Sequence, residues 1–306
     1  MCHPTSTAKL TRLHLLFHLL CSPIWAFAAV NDGGLCEPIV DKSGDDWTIA
    51  IWNSGRYCIG QDLNQSTPIF RFPHQAVPKD PLLIIEKGHV FADLNRHLLI
   101  TSVHTRVGMR VYALKKSPID SVTVQNGSIT STSGPAVFMV DAFDDAKDTR
   151  FGQNLAIAFS QGNISRYRTT EFVLEGLTLK ADDHVIIMQG MKNIIRHCKI
   201  IGGNSTVNLF GPELVFEDNE IILHAKSQAD AGDEAAVTIY LEDAANSIIR
   251  NNRITIKGRT VKSKAIVIKN SSNVTVEGNT VSGADSLYQL LDDRSSVTEN
   301  HNILMR

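Results

Sequence analysis

Asn246-Ser247-Ile248-Ile249-Arg250-Asn251-Asn252-Arg253-Ile254 decides the fold, because its pattern recurs seven times along the chain. An apolar or β-branched pair gives way to a small or amide turn and then to a β-branched residue. The other copies are Ser121–Ile129 (SVTVQNGSI), Glu171–Leu179 (EFVLEGLTL), Lys192–Ile200 (KNIIRHCKI), Glu213–Ile221 (ELVFEDNEI), Asn273–Val281 (NVTVEGNTV) and Ser295–Ile303 (SSVTENHNI). Their starts lie 50, 21, 21, 33, 27 and 22 residues apart.

A spacing near 21 residues is too short for helix-pair repeats, and the Leu-x-x-Leu-x-Leu pattern of leucine-rich repeats is missing. It fits one turn of a β-solenoid. Each turn reads as three short strands: the Val-x-Val of the phrase, the Ile-containing piece after its turn, and a third run such as His184–Met188, Val207–Phe210, Val237–Leu241 or Ala265–Ile268. Alternate residues of each run point inward and build a narrow apolar core shared by neighbouring coils.

Like residues stack about 4.8 Å apart in such an array. The seventh position of the phrase reads Gly127, Leu177, Cys198, Asn219, Asn252, Asn279 and His301, so its three asparagines are expected to hydrogen-bond along a ladder. Cys198 is then a buried small residue and not a reactive thiol. The ninth position, Ile129, Leu179, Ile200, Ile221, Ile254, Val281 and Ile303, is wholly aliphatic and reads as core.

Working outward to the N-terminus, Lys9 and Arg12 precede an apolar run from Leu13 to Leu20 that continues through Ile24-Trp25 to Ala26-Phe27-Ala28. This reads as an export signal over residues 1–28, cleaved near Ala28 or Ala29. His14, His18 and Pro23 interrupt the run, and it falls short of the roughly 20 residues a membrane-spanning helix needs. A secreted or periplasmic location follows, with no transmembrane segment after signal removal. Losing two positive charges moves the formal net charge from −2 to −4, which argues against a nucleic-acid partner. Of the five cysteines, Cys36, Cys58 and Cys198 remain, and Cys36–Cys58 is the expected disulfide in an oxidising compartment.

Before the repeats, Gly55-Arg56-Tyr57-Cys58-Ile59-Gly60-Gln61-Asp62-Leu63 is followed by His89-Val90-Phe91-Ala92-Asp93-Leu94-Asn95-Arg96-His97. Together with the repeats, these phrases resemble the pectin-lyase-like family of right-handed parallel β-helix proteins over roughly residues 47 to 303. The resemblance implies an all-β chain, with an N-terminal cap and lead-in strands over residues 29–80 and the β-helix over 81–306. Arg96 stands where the family commonly has glycine, so that turn either accepts a side chain or takes another conformation.

Many members of that family cleave or bind acidic polysaccharides in a groove on one face, and others have no catalysis. The paired-aspartate phrases of its hydrolases, Asn-Thr-Asp and Gly-Asp-Asp, are missing; Asp182-Asp183-His184 is the nearest, and it reads equally well as a turn. The calcium-dependent pectate lyase pattern and the Asp-Pro-His phrase of alginate epimerases are not found either.

What remains are the two largest breaks in the coil period, residues 130–170 and 222–245, where insertions must leave the stack as loops. The first holds Asp141, Asp144, Asp145 and Asp148, which can bind Ca²⁺ through oxygen ligands, unless they form only a solvated acidic loop. The second holds His224, Lys226, Asp230, Asp233 and Glu234. A lyase needs a base and a cation beside the uronate carboxylate, roles that Arg150, Arg166, Arg168 and His184 can supply. The plain alternative is that these arginines guard exposed strand edges. Arg196 and His197 read as surface residues of a coil's turn, and His301 as structural. The expectation is an exported β-helix protein acting on or binding polysaccharide, as a polyuronate lyase or glycoside hydrolase, or as a non-catalytic module for glycan or cell envelope.

Overall fold

The computed structural model describes residues 36–39, 49–64, 81–101, 107–114, 119–143, 167–182, 184–203, 205–225, 236–258 and 263–305. Every strand pairing among them is parallel, and the strands fall into three columns that the chain visits in turn. The first holds the Val-x-Val strands (Ile194–Arg196, Val215–Glu217, Ile248–Arg250, Val274–Glu277) and the second holds the strands after the turn (Lys199–Gly202, Glu220–His224, Arg253–Lys257, Thr280–Ser282). These two columns join into one sheet of seventeen strands. The third column, including Ile186–Gln189, Ser205–Phe210, Val237–Glu242, Lys264–Lys269 and Ser286–Leu290, forms a separate sheet of nine.

Register is kept between neighbouring coils except for a shift between Val140 and Phe143, so inward positions build columns. Ile200, Ile221, Ile254 and Val281 are direct partners in the second column, and Ile186, Val207, Ile239 and Ile266 in the third. All eight belong to one continuous apolar core with Phe172, Leu174, Phe216 and Ile249. β-Branched side chains suit this arrangement because they fill the pleat with little rotamer freedom to lose. The core is therefore a stack of aliphatic rows contributed by each coil.

The bend between the first two columns is made by one residue of left-handed backbone, at Asn126, Gly176, His197, Asp218, Asn251, Gly278 and His301 (φ between 53° and 63°). The next residue then turns its side chain into the corner. Asn252 Oδ1 accepts from the backbone N–H and the Nδ2 of Asn219, both at 3.0 Å, and Asn279 Oδ1 does the same for Asn252 at 2.9 and 3.0 Å. Each Nδ2 also donates to a carbonyl inside the bend: Ile195 for Asn219, Phe216 for Asn252 and Ile249 for Asn279. Backbone groups that cannot reach a sheet partner at the corner are satisfied this way. Cys198 ends the ladder: its N–H donates to Asn219 Oδ1 at 2.9 Å, and burial pushes its thiol pKa up to about 12.

The last repeat is corrected by one residue. Asn279 donates to Asn302, not to His301, and Val281 pairs with Leu304, so the phrase runs from Ser296 to Leu304. Ile303 points outward and is exposed, and His301 takes the left-handed bend position. The physical reason is the ladder itself, which needs a short amide at the corner and finds it at Asn302. Arg96 keeps the left-handed conformation (φ 65°) with its side chain exposed, and its N–H donates to Asn126 O at 2.6 Å.

The Cys36–Cys58 disulfide is present and joins neighbouring first-column strands, Glu37–Ile39 and Gly55–Ile59. The latter pairs in register with Val90–Asp93, so the two phrases that opened the family resemblance are successive coils. Within the expected cap region, the described residues 36–39 and 49–64 already form solenoid strands. Residues 1–28 lie outside the described residues. Among those described, no helix is long and apolar enough to cross a membrane.

Candidate functional site

Strand alternation sends one set of third-column side chains into the core and the other onto the outer face of the nine-stranded sheet. The outer row reads Phe138, Ile187, Asn208, Tyr240, Val267 and Gln289 through successive coils. Two residues on, a parallel row reads Gln189, Phe210, Glu242 and Lys269. The earlier coils make this face apolar: Val107, Phe138, Val140, Ile187 and Phe210 form a second buried cluster, with Tyr167 and Tyr240 packed against it. The later coils make it polar.

The chain leaves the sheet through a column of left-handed or extended-positive residues, Gly190, Gly211, Asp243 and Asn270. At Gly211 (φ 113°) a Cβ would lie 2.3 Å from the Gly190 carbonyl oxygen and 3.1 Å from the Tyr167 ring, so only glycine admits both the backbone turn and the tyrosine. Tyr167 OH donates to Asp243 Oδ2 at 2.8 Å, and the Asn270 amide donates to the other oxygen, Asp243 Oδ1. In the same coil as Asp243, Tyr240 OH donates to Glu242 Oε2 at 2.8 Å, while Lys269 Nζ of the next coil sits 2.7 Å from Glu242 Oε1. Asp292 continues the array. Its Oδ2 accepts the Asn270 N–H at 2.6 Å, and its Oδ1 accepts those of Arg294 and Ser295.

Burial first, and then the hydrogen bonds to Asp243 and Glu242, push the Tyr167 and Tyr240 hydroxyls well above the usual phenol range, so both stay protonated. The N–H of Asn270 leads the groups that hold the Asp292 carboxyl below the usual carboxylate range. Each oxygen of Glu242 and of Asp243 receives one donor, which fixes both carboxylates in place. Gln189 is the opposite case: it is 1% exposed, and its Oε1 has no hydrogen-bond partner. A half-exposed aromatic ring flanked by amides and acceptors is suited to holding a sugar ring.

His184 and Asp182 lie exposed at the corner where the chain enters this sheet. His184 Nδ1 is 3.0 Å from the Ser205 carbonyl oxygen and 3.1 Å from Asn208 Nδ2, so it touches the outer row. Arg168 lies at the opposite corner, where its carbonyl accepts the Met191 N–H at 2.9 Å. The two are separated by the width of the sheet, roughly 15–20 Å for four to six strand residues. They are therefore not brought together at one bond. Asp141 belongs to the strand Val137–Phe143, with its side chain outside the described set. Arg150, Arg166, Asp144, Asp145, Asp148 and Asp183 lie outside the described residues, as do Lys226, Asp230, Asp233 and Glu234; His224 is exposed at the end of its strand. The two insertions leave at different corners, one after a third-column strand and one after a second-column strand. Among the described residues no three His, Cys, Asp or Glu side chains gather as a metal site.

Tyr167, Tyr240, Glu242, Asp243, Lys269 and Asn270 were not among the residues expected from sequence. A signal for Tyr240, Glu242 and Lys269 existed: aligning the third runs puts them at the positions between inward aliphatics, where outward side chains must fall. A family model described as "Right handed beta helix region" matches residues 120–304. No curated protein and no solved structure matches the chain.

Proposed function

Because the chain belongs to the right-handed β-helix family, we propose that it binds polysaccharide on the outer face of its nine-stranded sheet, with Tyr240 as the surface on which a sugar ring stacks. The observation that carries this reading is the in-register array of Tyr240, Glu242 and Lys269 beside Asp243 and Asn270, held by hydrogen bonds before any ligand arrives. Such preorganisation lowers the ordering cost of binding. A long, flat row of equivalent positions also suits a polymer better than a small molecule.

Binding is preferred to cleavage. Arg168 and His184, a cation and a base that a lyase would need at one sugar, stand at opposite corners of the sheet. Export through residues 1–28 completes the proposal, supported by the charged, apolar and small-residue order of that segment and by a disulfide that persists in oxidising surroundings.

Affinity electrophoresis through gels carrying pectin, xylan, chitosan or alginate tests this. The protein should be retarded by at least one polymer without releasing product, and Tyr240→Ala should migrate freely while keeping its circular dichroism spectrum. Free migration of the wild type in every gel would end the reading.

A further inference from the structure

We propose that the outer face of the first strand column, away from the nine-stranded sheet, pairs with the same face of a second copy, the two stacks lying antiparallel. Register gives this face parallel rows. One is aliphatic, with Val173, Ile194, Val215 and Ile248 partly exposed in four successive coils. Association would take this stripe out of water. Two residues on, a second row alternates in sign: Glu175, Arg196, Glu217, Arg250 and Glu277. Two residues before the stripe, at the left-handed turn that opens each coil, exposed Glu171, Lys192 and Glu213 alternate too. An apolar centre between polar margins is the anatomy of a protein contact face.

Alternation in sign decides both the partner and its orientation. Let a two-fold axis run along the strands, midway between Ile194 and Val215; it keeps strand direction and reverses coil order. Ile194 then faces Val215 of the second copy, and Val173 faces Ile248. Arg196 meets Glu217, Glu175 meets Arg250, and Lys192 meets Glu213, so every charged pair is opposite in sign. Shifting the axis onto the Val215 strand sets Arg196 over Arg250 and Glu217 over itself. Placing it between Val215 and Ile248 restores the signs but sets Ile194 over Thr275 and gives Lys192 only Asn273. An axis along the stack sets Glu175 over Glu171, Arg196 over Lys192 and Glu217 over Glu213. Like charges directly opposed select against those arrangements. The internal pairs Glu175–Arg196 at 2.9 Å and Glu217–Arg250 at 2.6 Å hold the charges in place before contact. The rows run through eight coils from Phe91 to Thr298. At about 4.8 Å a coil and about 16 Å across five strand residues, the face offers roughly 600 Å². A standard interface takes about 800 Å² from each partner, so the dimer is weak.

Sedimentation equilibrium of the purified protein, run over a wide concentration range, is the test, with circular dichroism confirming the fold of each variant. The wild type should pass from monomer to dimer with a dissociation constant on the order of 10–100 μM. Ile194→Lys should raise that constant at least about tenfold, and so should Arg196→Glu, which sets a carboxylate over Glu217 of the second copy. Adding Glu217→Arg to Arg196→Glu restores opposite signs across the axis and should return the constant to within about threefold of the wild-type value. If that double variant fails to fold, the exposed turn pair Lys192→Glu with Glu213→Lys makes the same exchange. A wild type that stays monomeric throughout would overturn the proposal, as would a folded Ile194→Lys that dimerises like the wild type. A weakened Arg196→Glu that the second substitution does not rescue would overturn the antiparallel register.

Discussion

Asn252 uses its whole side chain inside the protein. Its oxygen takes two donors from Asn219, and its nitrogen reaches Phe216 O and Asn279 Oδ1. Asn252→Ala leaves those buried groups unpaired and should lower the unfolding free energy by about 2–4 kcal/mol in urea. Asn302→Ala, half-buried in the final coil, should cost less. The asparagines were legible because stacking makes one residue type recur at one spacing. Cys198 was legible by the same column, since a small residue is all that corner requires. Asp292 was not legible: its role comes from accepting N–H groups of residues in two different turns, and no local pattern announces it. Its carboxyl is held low, so the stability it lends is present above the unfolded carboxylate range and is lost as pH falls through the lowered folded value. Unfolding midpoints should begin to fall near pH 4 and continue below it. The decline should be shallower in Asp292→Asn.

At the scale of strands and turns, the exit column Gly190, Gly211, Asp243 and Asn270 sets where the tyrosines stand. Gly211→Ala should destabilise by about 3 kcal/mol or more, combining a disfavoured backbone region with the clash on Gly190 O. Gly60→Ala, with no atom within 4 Å of its added carbon, should stay within about 0.5 kcal/mol. Thermal scans of the two variants make the comparison. The first column also carries a ladder of alternating charge, Glu175 with Arg196 at 2.9 Å and Glu217 with Arg250 at 2.6 Å, which fixes register more than it adds stability because the pairs are partly exposed. Sequence placed the strands well because a period of two within a period near 21 leaves little freedom. It misplaced the last phrase because two serines stood side by side at Ser295 and Ser296, and nothing local distinguishes them. Glu299 occupies the inward position held by Phe216, Ile249 and Val276 in earlier coils, and there it is exposed. An inward-pointing charge on the last described strand of the first column discourages further strands from adding there.

Among the described residues, three columns of parallel strands stack coil on coil, and the faces of the stack differ in chemistry. The disulfide ties the first described strands together across a loop of 22 residues, and replacing both Cys36 and Cys58 by serine should lower stability by roughly 3 kcal/mol if the strands keep their places. Guanidinium unfolding of the double variant measures this. The site was far less legible than the fold. The sequence pointed to the insertions, most of whose candidate residues lie outside the described residues, whereas the candidates Tyr240, Glu242 and Lys269 sit within the period on the face that alternation turns outward. Periodicity identifies inward positions by their sameness; it is silent on which outward positions act together until the coils are stacked. Calorimetric titration of a retained glycan against wild type, Tyr240→Ala and Thr255→Ala, the last on the outer face of the second column, tests the central claim most directly. The account predicts at least about a tenfold loss of affinity in Tyr240→Ala and none in Thr255→Ala; unchanged affinity in Tyr240→Ala with a loss in Thr255→Ala would place the glycan on another face and contradict it.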